Sequence, residues 1–103
     1  MAQSKTRVLT DAAIQKQISG LAGWRHSRGA LRCRFQFETF AKALQFVNRV
    51  ARLAEEADHH PDIDIRYRVV RLALSTHDAG GITDKDVALA RLIDLGSAPR
   101  KEA

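Results

Sequence analysis

From Thr39 to about Ala57 the residues Phe40, Ala43, Leu44, Val47, Val50, Ala51 and Ala54 recur at spacings of three and four. That period lines one side of an α-helix, so the segment must lay an apolar stripe on some other element. The stretches around it keep a different period. Before it, Leu31, Cys33, Phe35 and Phe37 alternate with Arg32, Arg34 and Gln36; after it, Ile63, Ile65, Tyr67 and Val69 share one parity. Alternation of this kind belongs to strands with one buried face and one wet face. A one-sided helix between pairs of one-sided strands predicts an α+β domain of two packed layers.

The remaining segments complete the pattern. Thr10 can cap a helix with Asp11 in its first turn and Leu9 and Ile14 as a hydrophobic staple, and this helix ends near Gly20. GWRHSRGALRCRFQF then reads as a hairpin with SRG as its turn. After Pro61 breaks the helical pattern, IDIRYRVVRLALST alternates with one slip of phase. Val70, Leu72, Leu74 and Thr76 take the opposite parity from Ile63, Ile65, Tyr67 and Val69, which places a bend, bulge or tight turn near Arg68 to Val70. HDAGG is a loop, and Ile82, Thr83, Asp86 and Val87 supply staple and capping box for a last helix reaching about Leu95. The expectation is one domain over residues 1–103, with 1–8 and 97–103 frayed. Its order is αββαββα: a four-stranded antiparallel sheet with three helices packed on one face.

Composition excludes several classes. A single cysteine, Cys33, cannot form an internal disulfide. MAQSKTRV lacks the apolar core of a signal peptide, and no run of about 18 apolar residues could span a bilayer; a cytoplasmic protein without a membrane partner is expected. Net charge is +5, with Arg25, Arg28, Arg32 and Arg34 on one hairpin, but the strands lack the interleaved aromatics of a base-stacking platform, so nucleic acid is not the expected partner. There is no HExxH, CxxC, GxGxxG or GxxxxGK[ST] spacing, and adjacent histidines in an extended segment point apart. Neither a metal nor a cofactor is expected.

What stands out chemically lies between Glu55 and Asp86. His59, His60 and His77 gather there with Asp58, Asp62, Asp64, Asp78 and Asp84. Imidazole exchanges protons near neutral pH, and a neighbouring carboxylate fixes its tautomer. The two adjacent histidines sit where a helix ends and His77 where a strand ends, places from which side chains can converge on one cavity. Plainer roles compete: His59 and His60 as solvated residues at a helix C-terminus, Asp86 as the capping-box acid, Trp24 as a core or pocket-wall residue and Tyr67 as a half-buried strand residue.

The pattern resembles the pterin-4a-carbinolamine dehydratases. It runs from Glu55 through three residues to His59, His60 and Pro61, then five to Tyr67, nine to His77 and eight to Asp86. GW at 23–24, FxF at 35–37, STH at 75–77 and the glycine-containing loop into Thr83 to Asp86 extend the likeness over roughly Leu9 to Leu95. The resemblance implies removal of water from 4a-hydroxytetrahydropterin to give quinonoid dihydropterin, in regeneration of the pterin used by aromatic amino acid hydroxylases. His59 and His77 would be acids or bases at the hydroxyl, His60 would hold and polarise the pterin, Glu55 and Asp86 would orient the imidazoles, and Trp24 and Tyr67 would contact substrate. Family members commonly have an aromatic residue shortly after HHP; Ile63 stands here, implying a different pocket wall. The resemblance also implies a homodimer or homotetramer. It brings a rival function as well, a non-catalytic binding module such as a transcription-factor dimerisation cofactor or an enzyme assembly factor.

Overall fold

The structure is a computed structural model that describes residues 7–95 and 100–102. Its elements are α1 (Asp11–Ile18), β1 (Arg25–Ser27), β2 (Ala30–Gln36), α2 (Phe40–Ala57), β3 (Asp62–Arg66), β4 (Val69–Leu74), α3 (Asp84–Leu95) and β5 (Arg100–Glu102), with one turn of 3₁₀ helix at His77–Ala79. Thr10 caps α1 by accepting from the Ala13 N–H at 3.1 Å, and Thr39 caps α2 by accepting from Lys42 N–H at 3.0 Å. Each satisfies one of the amide donors that a helix start leaves without a partner. Arg28 and Gly29 turn the first hairpin with φ of +49° and +76°, a left-handed pair whose twist matches that of the strands it joins.

The sheet order is β1-β2-β4-β3, antiparallel throughout, with β5 pairing β2 at Gln36↔Arg100. The expected three helices and four strands are therefore present in the expected order. Part of the tail expected to fray is instead the short β5; the rest of both ends expected to fray, apart from Arg7 and Val8, lies outside the described residues. The break between β3 and β4 falls at Tyr67 and Arg68, slightly earlier than the parity slip suggested, because Tyr67 takes a left-handed φ of +53° and the Arg66↔Val69 register then closes a two-residue turn. Phe37 N–H donates to the Arg68 carbonyl and ties this turn to the end of β2.

Leu31, Cys33 and Phe35 of β2 and Val70, Leu72 and Leu74 of β4 face the helices and form the core with Ile14, Phe46, Val50, Val87, Leu89 and Ile93. Phe35 packs on Phe46 with ring centroids 4.6 Å apart and takes Trp24 edge-on at 6.1 Å. Burying each such ring stabilises the fold by about 1.5–3 kcal/mol. On α2 the buried line is Ala43, Phe46, Val50 and Ala54. Phe40, Leu44 and Ala51, read from the sequence as part of the core stripe, are exposed: the apolar arc of α2 is wider than the strip the sheet can cover. Among the described residues no helix is long and apolar enough to cross a membrane.

Candidate active site

The site is built where α2 stops. Asp58 ends the helix in the left-handed conformation, φ +50° and ψ +45°, and its N–H bonds back to the Ala54 and Glu55 carbonyls. The His59 N–H returns to Ala54 O at 3.0 Å, so two of the carbonyls that a helix end leaves open are used here. The chain then runs extended through Pro61 into β3, which turns consecutive side chains to opposite sides. His59 points inward and His60 outward.

His59 Nε2 lies 2.6 Å from Asp86 Oδ1, with the imidazole 10% exposed and the carboxylate 0%. His60 Nε2 lies 2.6 Å from Glu55 Oε2, at 57% and 76% exposure. A carboxylate only accepts, so in both pairs Nε2 carries the proton and Nδ1 is the nitrogen left for other chemistry. Neither Nδ1 is bonded to a described residue.

Asp86 is held on its other oxygen too. Thr76 Oγ1 donates to Oδ2 at 2.8 Å and the Thr83 N–H donates to it at 2.9 Å. The Thr76 proton being spent on Asp86, the 2.7 Å contact between the two threonine hydroxyls must be Thr83 donating to Thr76. Thr83 Oγ1 accepts in turn from Lys85 N–H at 3.2 Å. Every hydroxyl proton has one direction, and the chain ends on the carboxylate that holds His59. Thr76, Thr83 and Asp86 are all buried, where unpaired polar groups would be costly.

Local sequence explains how Asp86 arrives there. The Asp86 carboxylate reaches back to Thr83 N–H, the reciprocal half of a capping box, and Ile82 and Val87, the staple pair, are buried beside it. Capping and imidazole support are thus served by different oxygens of one side chain. Upstream, Thr76 N–H bonds Gly81 O at 2.9 Å and closes the loop around the 3₁₀ turn. Gly81 is packed tightly: a Cβ there would meet Val8 Cγ1 at 2.9 Å.

Because β3 and β4 are antiparallel, the start of β3 and the end of β4 lie at one end of the sheet. His59, His60 and His77 therefore share that end, His77 being exposed and next in sequence to Thr76, with Glu55 and Asp86 beside the first two. Tyr67 is not brought there. It is 69% exposed at the opposite end of β3, about 17 Å away for five residues of strand, with the Arg68 guanidinium 5.1 Å from its ring centroid. Its place in a turn rather than a strand is why it is not half-buried. Trp24 is a core residue, 4% exposed, donating its indole N–H to Asp94 Oδ1 at 3.1 Å. Ile63 packs on the core opposite Leu72.

Sequence reasoning missed Thr76 and Thr83 as members of the site. A signal was present: Thr76 continues the inward parity of Val70, Leu72 and Leu74, and a hydroxyl on a buried parity needs a partner. A concavity of about 390 Å³ lies elsewhere, on the open face of the sheet, and no histidine lines it. Among the described residues no three histidine, cysteine or acidic side chains are grouped as a metal site.

Comparison with known proteins agrees with the motif. The family described as Pterin 4 alpha carbinolamine dehydratase matches residues 7–95. A protein of Thermomicrobium roseum, provisionally named a pterin-4-alpha-carbinolamine dehydratase, is 53% identical over 90 residues, 86% of this chain and 97% of its own. One from Mycobacterium tuberculosis, with the same provisional name, is 49% identical over 87 residues, 84% of this chain and 93% of its own. A solved structure described as a transcriptional coactivator/pterin dehydratase from Brucella melitensis has a TM-score of 0.82 at 32% identity, covering 85% of this chain and 96% of that one. Another, a pterin dehydratase-like protein identified as a RuBisCO assembly factor in the alpha-carboxysome, has a TM-score of 0.61 at 28% identity, covering 76% and 95%.

Proposed function

Since this chain belongs to the pterin-4a-carbinolamine dehydratase family, we propose that it eliminates water from a 4a-hydroxytetrahydropterin, giving a quinonoid dihydropterin, by acid–base catalysis from histidine. The observation that carries the proposal is the pair of 2.6 Å imidazole–carboxylate bonds, which tie Nε2 of His59 and of His60 and leave both Nδ1 atoms for a substrate. In the elimination a protonated imidazole gives its proton to the C4a hydroxyl and the C–O bond breaks, releasing water. The electron pair of a ring N–H forms the new C=N bond, and a neutral imidazole takes that proton. One acid becomes a base and one base an acid, so the balance closes without a cofactor.

His59 and His77 act at the hydroxyl and the ring N–H, His60 holds and polarises the pterin, and Asp86 and Glu55 orient the imidazoles of His59 and His60 respectively. Trp24 and Tyr67 have no part in this assignment, since one is sealed in the core and the other lies at the far end of β3. Recycling of tetrahydrobiopterin is the setting in which such an activity serves. Self-association as a dimer or tetramer belongs to the same proposal; exposed Phe40 and Leu44 on α2 support it, and light scattering tests it.

The deciding measurement is dehydration of freshly generated 4a-hydroxytetrahydropterin by the wild-type chain, by His59→Ala and by His77→Ala. A wild-type rate above the buffer blank, lost in both variants, supports the enzyme. A wild-type rate equal to the blank removes it and leaves the second reading, a non-catalytic binding or assembly module, which the kinship to the RuBisCO assembly factor favours.

A further inference from the structure

The face of the sheet turned away from the helices is lined with arginine. Arg25, Arg28, Arg32, Arg34 and Arg71 surround the concavity of about 390 Å³, with Asp62 and Asp64 at its β3 side. The register sets Arg25 directly opposite Arg32 and Arg34 directly opposite Arg71. Like charges placed across a ladder in this way oppose folding; the register flanks Arg34 and Arg71 with Glu102 and Asp64, whereas Arg25 and Arg32 meet no acidic partner in their row before Asp62 at its far edge. Some are occupied: Arg32 donates to the Ser27 carbonyl at 2.9 Å, and Arg71 lies 3.5 Å from Asp64. The guanidinium groups of Arg25 and Arg28 and the carboxylate of Asp62 bond to no described residue.

Arg25 and Asp62 lie at opposite ends of one row, and Arg28 stands three residues beyond Arg25 in the hairpin turn. Arg25, Arg32, Ala73 and Asp62 are successive cross-strand partners, a span of about 14 Å for three strand spacings of about 4.8 Å. One end offers only donors, in the planar fork that matches phosphate oxygens. The other offers an acceptor that repels phosphate and suits hydroxyl or amino groups. Between them small Ala73 leaves the floor of the hollow low. A lone phosphate does not bridge this row, and a nucleic acid strand running through it would meet Asp62 and Asp64.

We propose that the open sheet face binds a nucleoside di- or triphosphate, its phosphates on Arg25 and Arg28 and its sugar or base donors on Asp62. No histidine lines this hollow, and the proposal stands whether or not the dehydration does.

Titration calorimetry of the full chain at low salt tests it, with adenosine triphosphate, tripolyphosphate, orthophosphate and a DNA duplex as probes. The nucleotide binds more tightly than tripolyphosphate, and both more tightly than orthophosphate by about tenfold or more. Arg25→Ala/Arg28→Ala weakens nucleotide and tripolyphosphate alike by about tenfold or more, whereas Asp62→Ala removes only the advantage of the nucleotide. Lys16→Ala/Lys42→Ala takes the same charge from the helical side and changes neither affinity. Equal affinities for nucleotide and tripolyphosphate, equal losses in the two double variants, or tighter binding of the duplex would each overturn the proposal.

Discussion

The two imidazole–carboxylate pairs have the same length, 2.6 Å, and nearly the same sequence origin, yet they are different devices. His59–Asp86 is sealed between the end of α2 and the start of α3, with the carboxylate wholly buried and four further donor groups converging on it or on its threonines. His60–Glu55 stands in solvent, and the Glu55 carboxylate makes no second bond among the described residues. Surface pairs of that kind contribute about 0–1 kcal/mol because water competes for both partners. A buried pair is expensive to break, since the partner left behind keeps its desolvation cost without its bond. Equal geometry therefore marks a bond protected by burial in one case and a bond open to competition from water in the other.

The largest contrast is expected in turnover. His59→Ala removes an acid–base group held in one orientation and should slow the proposed dehydration by about 10²–10⁴-fold. His60→Ala should raise KM more than it lowers kcat, since His60 is assigned to holding the pterin. Steady-state kinetics of the two variants side by side checks this, and equal loss of kcat would erase the distinction between the pairs.

Next comes stability. Asp86→Ala strands His59, Thr76 and the Thr83 N–H together and should cost about 3–5 kcal/mol in chemical denaturation, against under about 1 kcal/mol for Glu55→Ala. Asp86→Asn sharpens the point. Its amide oxygen can still accept from Thr76 and Thr83, but its NH₂ then faces Nε2 and forces the His59 proton onto Nδ1, where no lone pair is left for a base. That variant should fold with only a modest loss of stability and still lose most of the activity that depends on His59.

Thr76 tests the middle of the network. Thr76→Val keeps the shape and removes the hydroxyl, leaving Asp86 one donor short and the Thr83 hydroxyl without its acceptor. About 1–3 kcal/mol should be lost on denaturation. Thr76→Ser keeps the donor and should recover most of it.

The same contrast separates what was legible in the sequence from what was not. The change of period from two to 3.6 and back gave the layer order, and Thr10 and the Thr83–Asp86 box act as the caps the sequence offers because capping is decided within four residues. The Tyr67 turn was displaced because a parity slip says only that the phase changes nearby; the residue that takes φ of +53° is chosen by tertiary closure. Arg100–Glu102 was missed because three polar residues carry no period, and they become a strand only through an edge that β2 offers. At the site, motif and spacing brought together Glu55, His59, His60, His77 and Asp86. They did not reveal which carboxylate belongs to which imidazole, since that follows from the alternation after Asp58, nor that Trp24 and Tyr67 stand apart.

Asp58 is where the two pairs diverge, and it supports the smallest prediction. Its left-handed φ of +50° swings the chain off α2, so that one histidine turns toward α3 and the next toward Glu55. An ordinary L-residue pays roughly 1–2 kcal/mol for that conformation, Asn and Asp rather less. Asp58 also sets a negative charge against the negative end of the α2 dipole, an unfavourable contact of about 0.3–1 kcal/mol at an exposed helix end. Asp58→Asn keeps the tolerance for left-handed φ and removes the charge, so it should stabilise the chain by a few tenths of a kcal/mol, on the order of the lower half of that range. Asp58→Gly relieves the backbone as well but frees the unfolded chain, and the two effects largely offset. Thermal denaturation at low and high salt separates the contributions. The gain from Asn should shrink as salt screens the dipole, while that from Gly should change less; a gain from Asn that ignores salt would mean that the turn, and not the charge, limits the end of α2.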